Sequence, residues 1–148
     1  MIDAEYDVPT DAWYFASERQ PAMPFAVLLE VALQPCGWLA AYLGSALTSD
    51  IDLSFRNLGG TATQHCAVTP DMGTLTTRVK ITNVSQSAGM IIQHFDYDMT
   101  CAAGPLYSGN AYFGFFPTAA LASHVGVREA QPYEPGASPR AARRPHVY

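Results

Sequence analysis

A chain of 148 residues, 49% apolar and 14% charged, is long enough for one domain with a real core and cramped for two. Its net charge of −5, with basic residues scattered until the extreme C-terminus, argues against nucleic acid as the main partner. Cys36, Cys66 and Cys101 are odd in number and lack metal-ligand spacing, so they read as buried reduced thiols suited to a cytoplasmic protein.

Residues 1–12 are acidic and turn-rich, with Pro9 forcing Val8 to be extended, and read as a lead-in arm. Trp13-Tyr14-Phe15 is a short aromatic anchor, followed by a polar loop over residues 16–22. Pro24 suits the first position of a helix, where its missing N–H costs nothing. Residues 23–43, MPFAVLLEVALQPCGWLAAYL, form that helix, which is apolar on every side and so is expected to be wrapped by other structure. Residues 25–43 would span about 28 Å, with Gly44 as the stop signal.

The helix is long enough to suggest a membrane span, but Glu30, Gln34 and Pro35 near its middle argue against one. No cationic leader with a cleavage site is apparent either. Pro35 removes one intrahelical bond at a cost of about 3 kcal/mol, predicting a kink or a break into two helices. Glu30 and Gln34, at i and i+4, share a face and can touch. A Glu enclosed by apolar side chains has its pKa raised by desolvation, which suits a proton donor; the competing reading is a structural carboxyl.

From residue 51 the periodicity switches to alternation. Residues 52–56 are a short strand, residues 57–60 a turn, residues 61–68 a loose strand, and residues 69–73 (TPDMG) a strong turn. Residues 74–84 form a strand with Leu75, Val79 and Ile81 inward. Residues 88–101 and 106–116 complete the run, turning near Gly104-Pro105. The glycines of YSGNAYFGFF mark a bulge or a close backbone approach. Residues 117–125 suggest a short helix. Residues 131–148, with four prolines and three arginines, read as a linker or disordered tail. His65 and His94 fall in strands and read as structural; His124 and His146 fall in the terminal helix and tail. The aromatic set Tyr107, Tyr112, Phe113, Phe115 and Phe116 is sheet core before it is a ligand box. The sum is an α+β fold, four or five antiparallel strands curled round one long helix.

The stretch Tyr14-Phe15, then Pro21-Ala22-Met23-Pro24-Phe25, then Glu30 with Gln34 resembles the hot-dog-fold 3-hydroxyacyl-[acyl carrier protein] dehydratases. In that family a His-Phe loop and a Pro-x-Met-Pro-Gly element precede a central helix carrying a catalytic acid, with Gln four residues on. The phrases WYFASERQPAMPF, LLEVALQPCGWLAAY, FRNLGG and YFGFF are similar to dehydratase-like domains of polyunsaturated fatty acid synthases and iterative polyketide megasynthases. The likeness covers residues 13–116, giving a hot-dog domain over residues 13–130.

What the resemblance implies is a lyase without a cofactor or metal, acting on 3-hydroxyacyl thioesters held on acyl carrier protein. Glu30 would be the acid and Gln34 its partner, with Tyr14, Pro24, Phe25 and Ala26 around the substrate. Two positions depart from the pattern. The catalytic His is Tyr14 here, or Ala16 without a gap, and the Gly after Met-Pro is Phe25. Family members pair, with the His and the acid facing each other from different subunits. The missing base is therefore expected from an adjacent hot-dog domain or a homodimer partner. The alternatives are a non-catalytic half of a pseudo-dimer and a hot-dog acyl thioesterase using Glu30.

Overall fold

In the computed structural model, residues 1–17, 21–123 and 126 are described. The tail at 131–148, His124, His146 and the expected domain end at residue 130 lie outside the described residues.

Alternation builds the sheet. Strands β1 (Ile2–Asp7), β2 (Leu53–Gln64), β3 (Thr74–Ser87), β4 (Met90–Cys101) and β5 (Gly104–Pro117) form one antiparallel sheet in the order β1-β3-β4-β5-β2. The residues expected to be a lead-in arm are therefore the edge strand β1, in register with β3 from Ile2↔Val79 to Asp7↔Thr74. Only pairing with a distant partner reveals it, because a six-residue acidic segment carries little strand signal of its own. The separate strand, turn and strand expected over residues 52–68 are likewise one element. The supposed turn is a bulge between Asn57 and Gly59, where the Gly59 N–H donates to Asn57 Oδ1 at 3.0 Å.

Successive side chains of β3, β4 and β5 alternate between faces, so Leu75, Val79, Phe95, Tyr97, Met99, Ala111 and Phe113 are buried on one side. Ile81 is only half-buried, next to a register shift between Ile81 and Asn83. Of the aromatic set, Tyr107, Phe113 and Phe115 are core, Phe116 is half-buried and Tyr112 is exposed. Gly109 answers to the close approach expected in β5: a Cβ there would lie 2.1 Å from the Thr61 carbonyl and 2.6 Å from the Tyr97 hydroxyl. The β4–β5 turn falls on Ala102 and Ala103, just before the Gly104-Pro105 position expected for it.

Among the described residues three α-helices complete the fold: α1 (Trp13–Ser17), α2 (Phe25–Tyr42) and α3 (Thr118–Ala122). α1 buries Tyr14 and Phe15. α2 runs through Pro35 as one helix, neither broken nor shortened there, and Pro24 is its N-cap residue rather than its first turn. At the other end Gly44 adopts φ +68, which a residue without a side chain takes most easily. The Ser45 hydroxyl then donates to the Ala40 carbonyl at 2.9 Å and receives the Gln93 amide at 2.5 Å, tying the helix end to β4.

α2 lies across the sheet, but it is not wrapped. Leu28, Ala32, Cys36, Leu39 and Ala40 are buried, at the three- and four-residue spacing that puts them on one stripe. Phe25, Trp38 and Tyr42 are exposed on the other side. The stretch Phe25–Thr48 is long and apolar enough to cross a membrane by length and composition alone. In this fold its inner stripe is committed to the sheet.

Candidate active site

The open face of α2 carries a pair of polar side chains in contact. The Gln34 Nε2 donates to Glu30 Oε1, one helical turn apart, as the spacing requires. Both residues are exposed, which corrects the expectation of a carboxyl enclosed by apolar side chains. The physical reason is the sidedness of the helix: the buried stripe is full, and residues 30 and 34 point away from it.

Glu30 and Gln34 stand between two grooves. One, of about 720 Å³, runs between α2 and β1 and is walled by Ile2, Ala4 and Tyr6 with Val31, Pro35 and Trp38. The other, of about 660 Å³, runs between α2 and the β2–β5 side and is walled by Gly37, Phe55, Asn57, Phe113 and Phe115. Trp38 contributes to both, its ring stacked on Tyr42 at 4.9 Å. Apart from Glu30, Gln34 and a few polar edges, the walls are apolar, the character of a site for a hydrocarbon chain.

At the start of α2 no side chain caps the helix. The amides of Val27 and Leu28 donate to the Pro24 carbonyl at 3.0 and 3.1 Å, which leaves those of Phe25 and Ala26 without an intrahelical acceptor. These donors lie about 7 Å along the axis from Glu30. Phe25 is exposed, packs edge-on to Tyr107 at 5.7 Å, and closes a smaller groove of about 290 Å³ with Leu29, Leu33 and Gly60. Pro24 and Ala26 flank it, half-buried and exposed respectively.

Tyr14 does not join this group. It is 7% exposed, its ring lies 4.6 Å from that of Phe15, and it lines neither large groove. Burial, with the nearby Tyr6 phenol adding to it, pushes its hydroxyl up to about 12, and that hydroxyl has no hydrogen-bond partner among the described residues. Tyr14 is packed into the core, away from both large grooves. The described histidines are also elsewhere. His65 shares a 2.8 Å hydrogen bond with the Ser108 hydroxyl, and His94 stacks on Tyr112, both on the sheet face turned away from α2. Among the described residues no histidine lines either groove.

Asn57, Phe55 and Trp38 are wall residues that the sequence alone does not single out. Their signal is present in FRNLGG and in the exposed side of the helix, but it needs the bulge and the packing direction to become visible.

The comparisons agree with this architecture. The fluoroacetyl-CoA thioesterase FlK superposes with a TM-score of 0.61 at 11% identity, over 82% of this chain and 88% of that one. A hot-dog-like protein from Thermanaerovibrio acidaminovorans gives 0.59 at 14% identity, over 82% and 84%. At such identities the likeness concerns the hot-dog fold. A polyunsaturated fatty acid synthase subunit from a Thraustochytrium species is 31% identical over 134 residues; the match covers 88% of this chain and 9% of that much longer relative. The FabA-like domain profile matches residues 1–104. A helix with one open face, an acid and a glutamine on that face, and a five-stranded sheet behind it thus meet in one assignment: the chain belongs to the FabA-like domain family.

Proposed function

We propose that the chain serves in the dehydration of 3-hydroxyacyl thioesters on acyl carrier protein to 2-enoyl thioesters, within polyunsaturated fatty acid or polyketide synthesis in the cytoplasm. It does so as one half of a paired active site. The observation that carries this reading is the Glu30–Gln34 pair on the open face of α2, between two apolar grooves whose described lining holds no histidine. The 31% identity to a polyunsaturated fatty acid synthase subunit supports the setting.

Dehydration breaks the C2–H and C3–O bonds and releases water. Glu30 gives a proton to the departing C3 hydroxyl, and Gln34 holds the carboxyl in position. The free amides of Phe25 and Ala26 stabilise the enolate-like thioester oxygen. The C2 proton passes to a histidine of an adjacent hot-dog unit. Such a unit has a place to dock: β2 ends the sheet with an edge of twelve residues that is unpaired among the described residues, beside the second groove.

The test assays the chain alone and joined to its neighbouring hot-dog domain on a 3-hydroxyacyl thioester. Dehydration by the pair only, abolished by Glu30→Gln, is the expected result. A Glu30→Gln pair with full activity makes this chain a structural half, and hydrolysis to the free acid by the chain alone makes it a thioesterase.

A further inference from the structure

Residues 55–60, FRNLGG, carry an Asn between an aromatic ring and two glycines. Alternate side chains of a strand share a face, so Asn57 turns the same way as Phe55, toward α2. Phe55 stacks on the buried Phe113 ring at 4.9 Å, and Asn57 pairs with Phe113 in register. A Cβ on Gly37 would lie 3.7 Å from the Phe55 ring, so α2 and β2 meet at that level. From Gly37 back to Leu33 is about 6 Å along the helix, and from Phe55 on to Asn57 about 7 Å along the strand. Asn57 therefore stands across the second groove from the Glu30–Gln34 pair, and all three line it. It also borders the smaller groove that Phe25 closes, so it lies between the helix start and the acid.

The bulge orients this carboxamide. Its Oδ1 accepts the Gly59 N–H at 3.0 Å, and only the oxygen of a carboxamide can accept. The Nδ2 is the other end, and it donates to no acceptor among the described residues. On the helix wall Gln34 occupies Glu30 Oε1, which leaves Oε2 to carry a proton. An unused donor thus faces a carboxyl across an apolar groove, with room for an oxygen between them.

We propose, on the reading that the chain serves in dehydration, that Asn57 binds the substrate's C3 hydroxyl and selects the configuration at C3. Its Nδ2 donates to the hydroxyl oxygen and holds the C3–O bond against Glu30. Asn57 keeps both of its own hydrogens. Glu30 supplies the proton as the C3–O bond breaks, and the amide donor steadies the departing oxygen until it leaves as water. The thioester oxygen sits at the Phe25 and Ala26 amides, and the hydroxyl sits between Glu30 and Asn57. One configuration at C3 puts both oxygens in place; its mirror image turns the hydroxyl away from Asn57.

The experiment uses the chain joined to its neighbouring hot-dog domain. The substrates are the two enantiomers of a 3-hydroxyhexanoyl N-acetylcysteamine thioester, and the competing ligand is the hexanoyl thioester, which lacks the hydroxyl. Asn57→Asp keeps an oxygen for the Gly59 N–H and removes the donor, while Asn57→Ala removes both without adding charge. In each variant kcat/KM for the preferred enantiomer should fall about tenfold or more, and the ratio between enantiomers should shrink by a similar factor. The inhibition constant of the hexanoyl thioester should stay within about twofold of the parent's. Parental kcat/KM and enantiomer ratio in both variants overturn the proposal. Equal weakening of substrate and inhibitor with the ratio preserved also overturns it, and makes Asn57 a support of the bulge alone. In both of those outcomes the parent still dehydrates, so the proposed function stands. A parent pair that forms no enoyl thioester overturns that function and the role of Asn57 together.

Discussion

The two sides of α2 both carry large apolar side chains and are opposite in use. One side, Leu28, Ala32, Cys36 and Leu39, is pressed against the sheet with almost no exposure. The other presents Glu30, Gln34, Trp38 and Tyr42 to the outside, with a groove on either flank. A globular domain seldom leaves Trp at 56% and Tyr at 72% exposed on one helix face beside an open sheet edge without a use for them. The inner side holds this chain together. The outer side is the one that a second hot-dog unit completes in the proposed function.

That contrast can be tested from either side. The largest expected effect is on activity: in the paired unit, Glu30→Gln lowers turnover by about 10²–10⁴-fold while leaving the unfolding midpoint where it was. A rate within twofold of the parent would remove Glu30 from the chemistry. Leu28→Ala should do the reverse. It costs about 2–5 kcal/mol in urea unfolding, and activity follows the folded fraction; a loss below about 1 kcal/mol would mean the inner stripe is not packed as described. Trp38→Ala is expected to change the isolated chain's stability by no more than about 0.5 kcal/mol. The same change should weaken association with the neighbouring unit by more than about 1 kcal/mol, read by titration calorimetry. Equal effects on both would make Trp38 a residue of this chain's own core.

Two smaller predictions sharpen the flanks. Tyr14→Phe removes a buried hydroxyl without a partner among the described residues, so stability should hold or rise slightly, by up to about 1 kcal/mol, with activity intact. A large rate loss would restore Tyr14 to the site. Across the β1–β3 pair, Arg78 donates two hydrogen bonds to Asp3, at 2.8 and 2.9 Å, and the Arg78 hydrogen bond holds the Asp3 carboxyl below its ordinary value. A lowered folded-state pKa contributes stability that is present above the unfolded value and is lost as pH falls through the folded one. Asp3→Asn should therefore flatten the acid limb of the stability profile slightly and leave neutral pH almost unchanged. The pair is exposed, so salt should erase the difference.

Much of the fold is legible in the sequence because it is local. Alternation marks β3 and β4, TPDMG marks the turn where the Met72 amide bonds the Thr69 carbonyl, and Gly44 marks the end of α2. The Glu30–Gln34 contact is legible for the same reason, since a spacing of four residues fixes it on any helix. β1 is not, because its strand character comes from partners about 70 residues away. The bulge at Asn57 reads as a turn because Gly-Gly signals both.

What the sequence determined alone, then, is the identity of the elements and the adjacency of groups within one helical turn. What only the tertiary structure decided is sidedness. An apolar helix does not say which of its faces a sheet will cover, because both would be stabilised by burial. The curl of β3, β4 and β5 chose the Leu28–Leu39 stripe and left Glu30 outside.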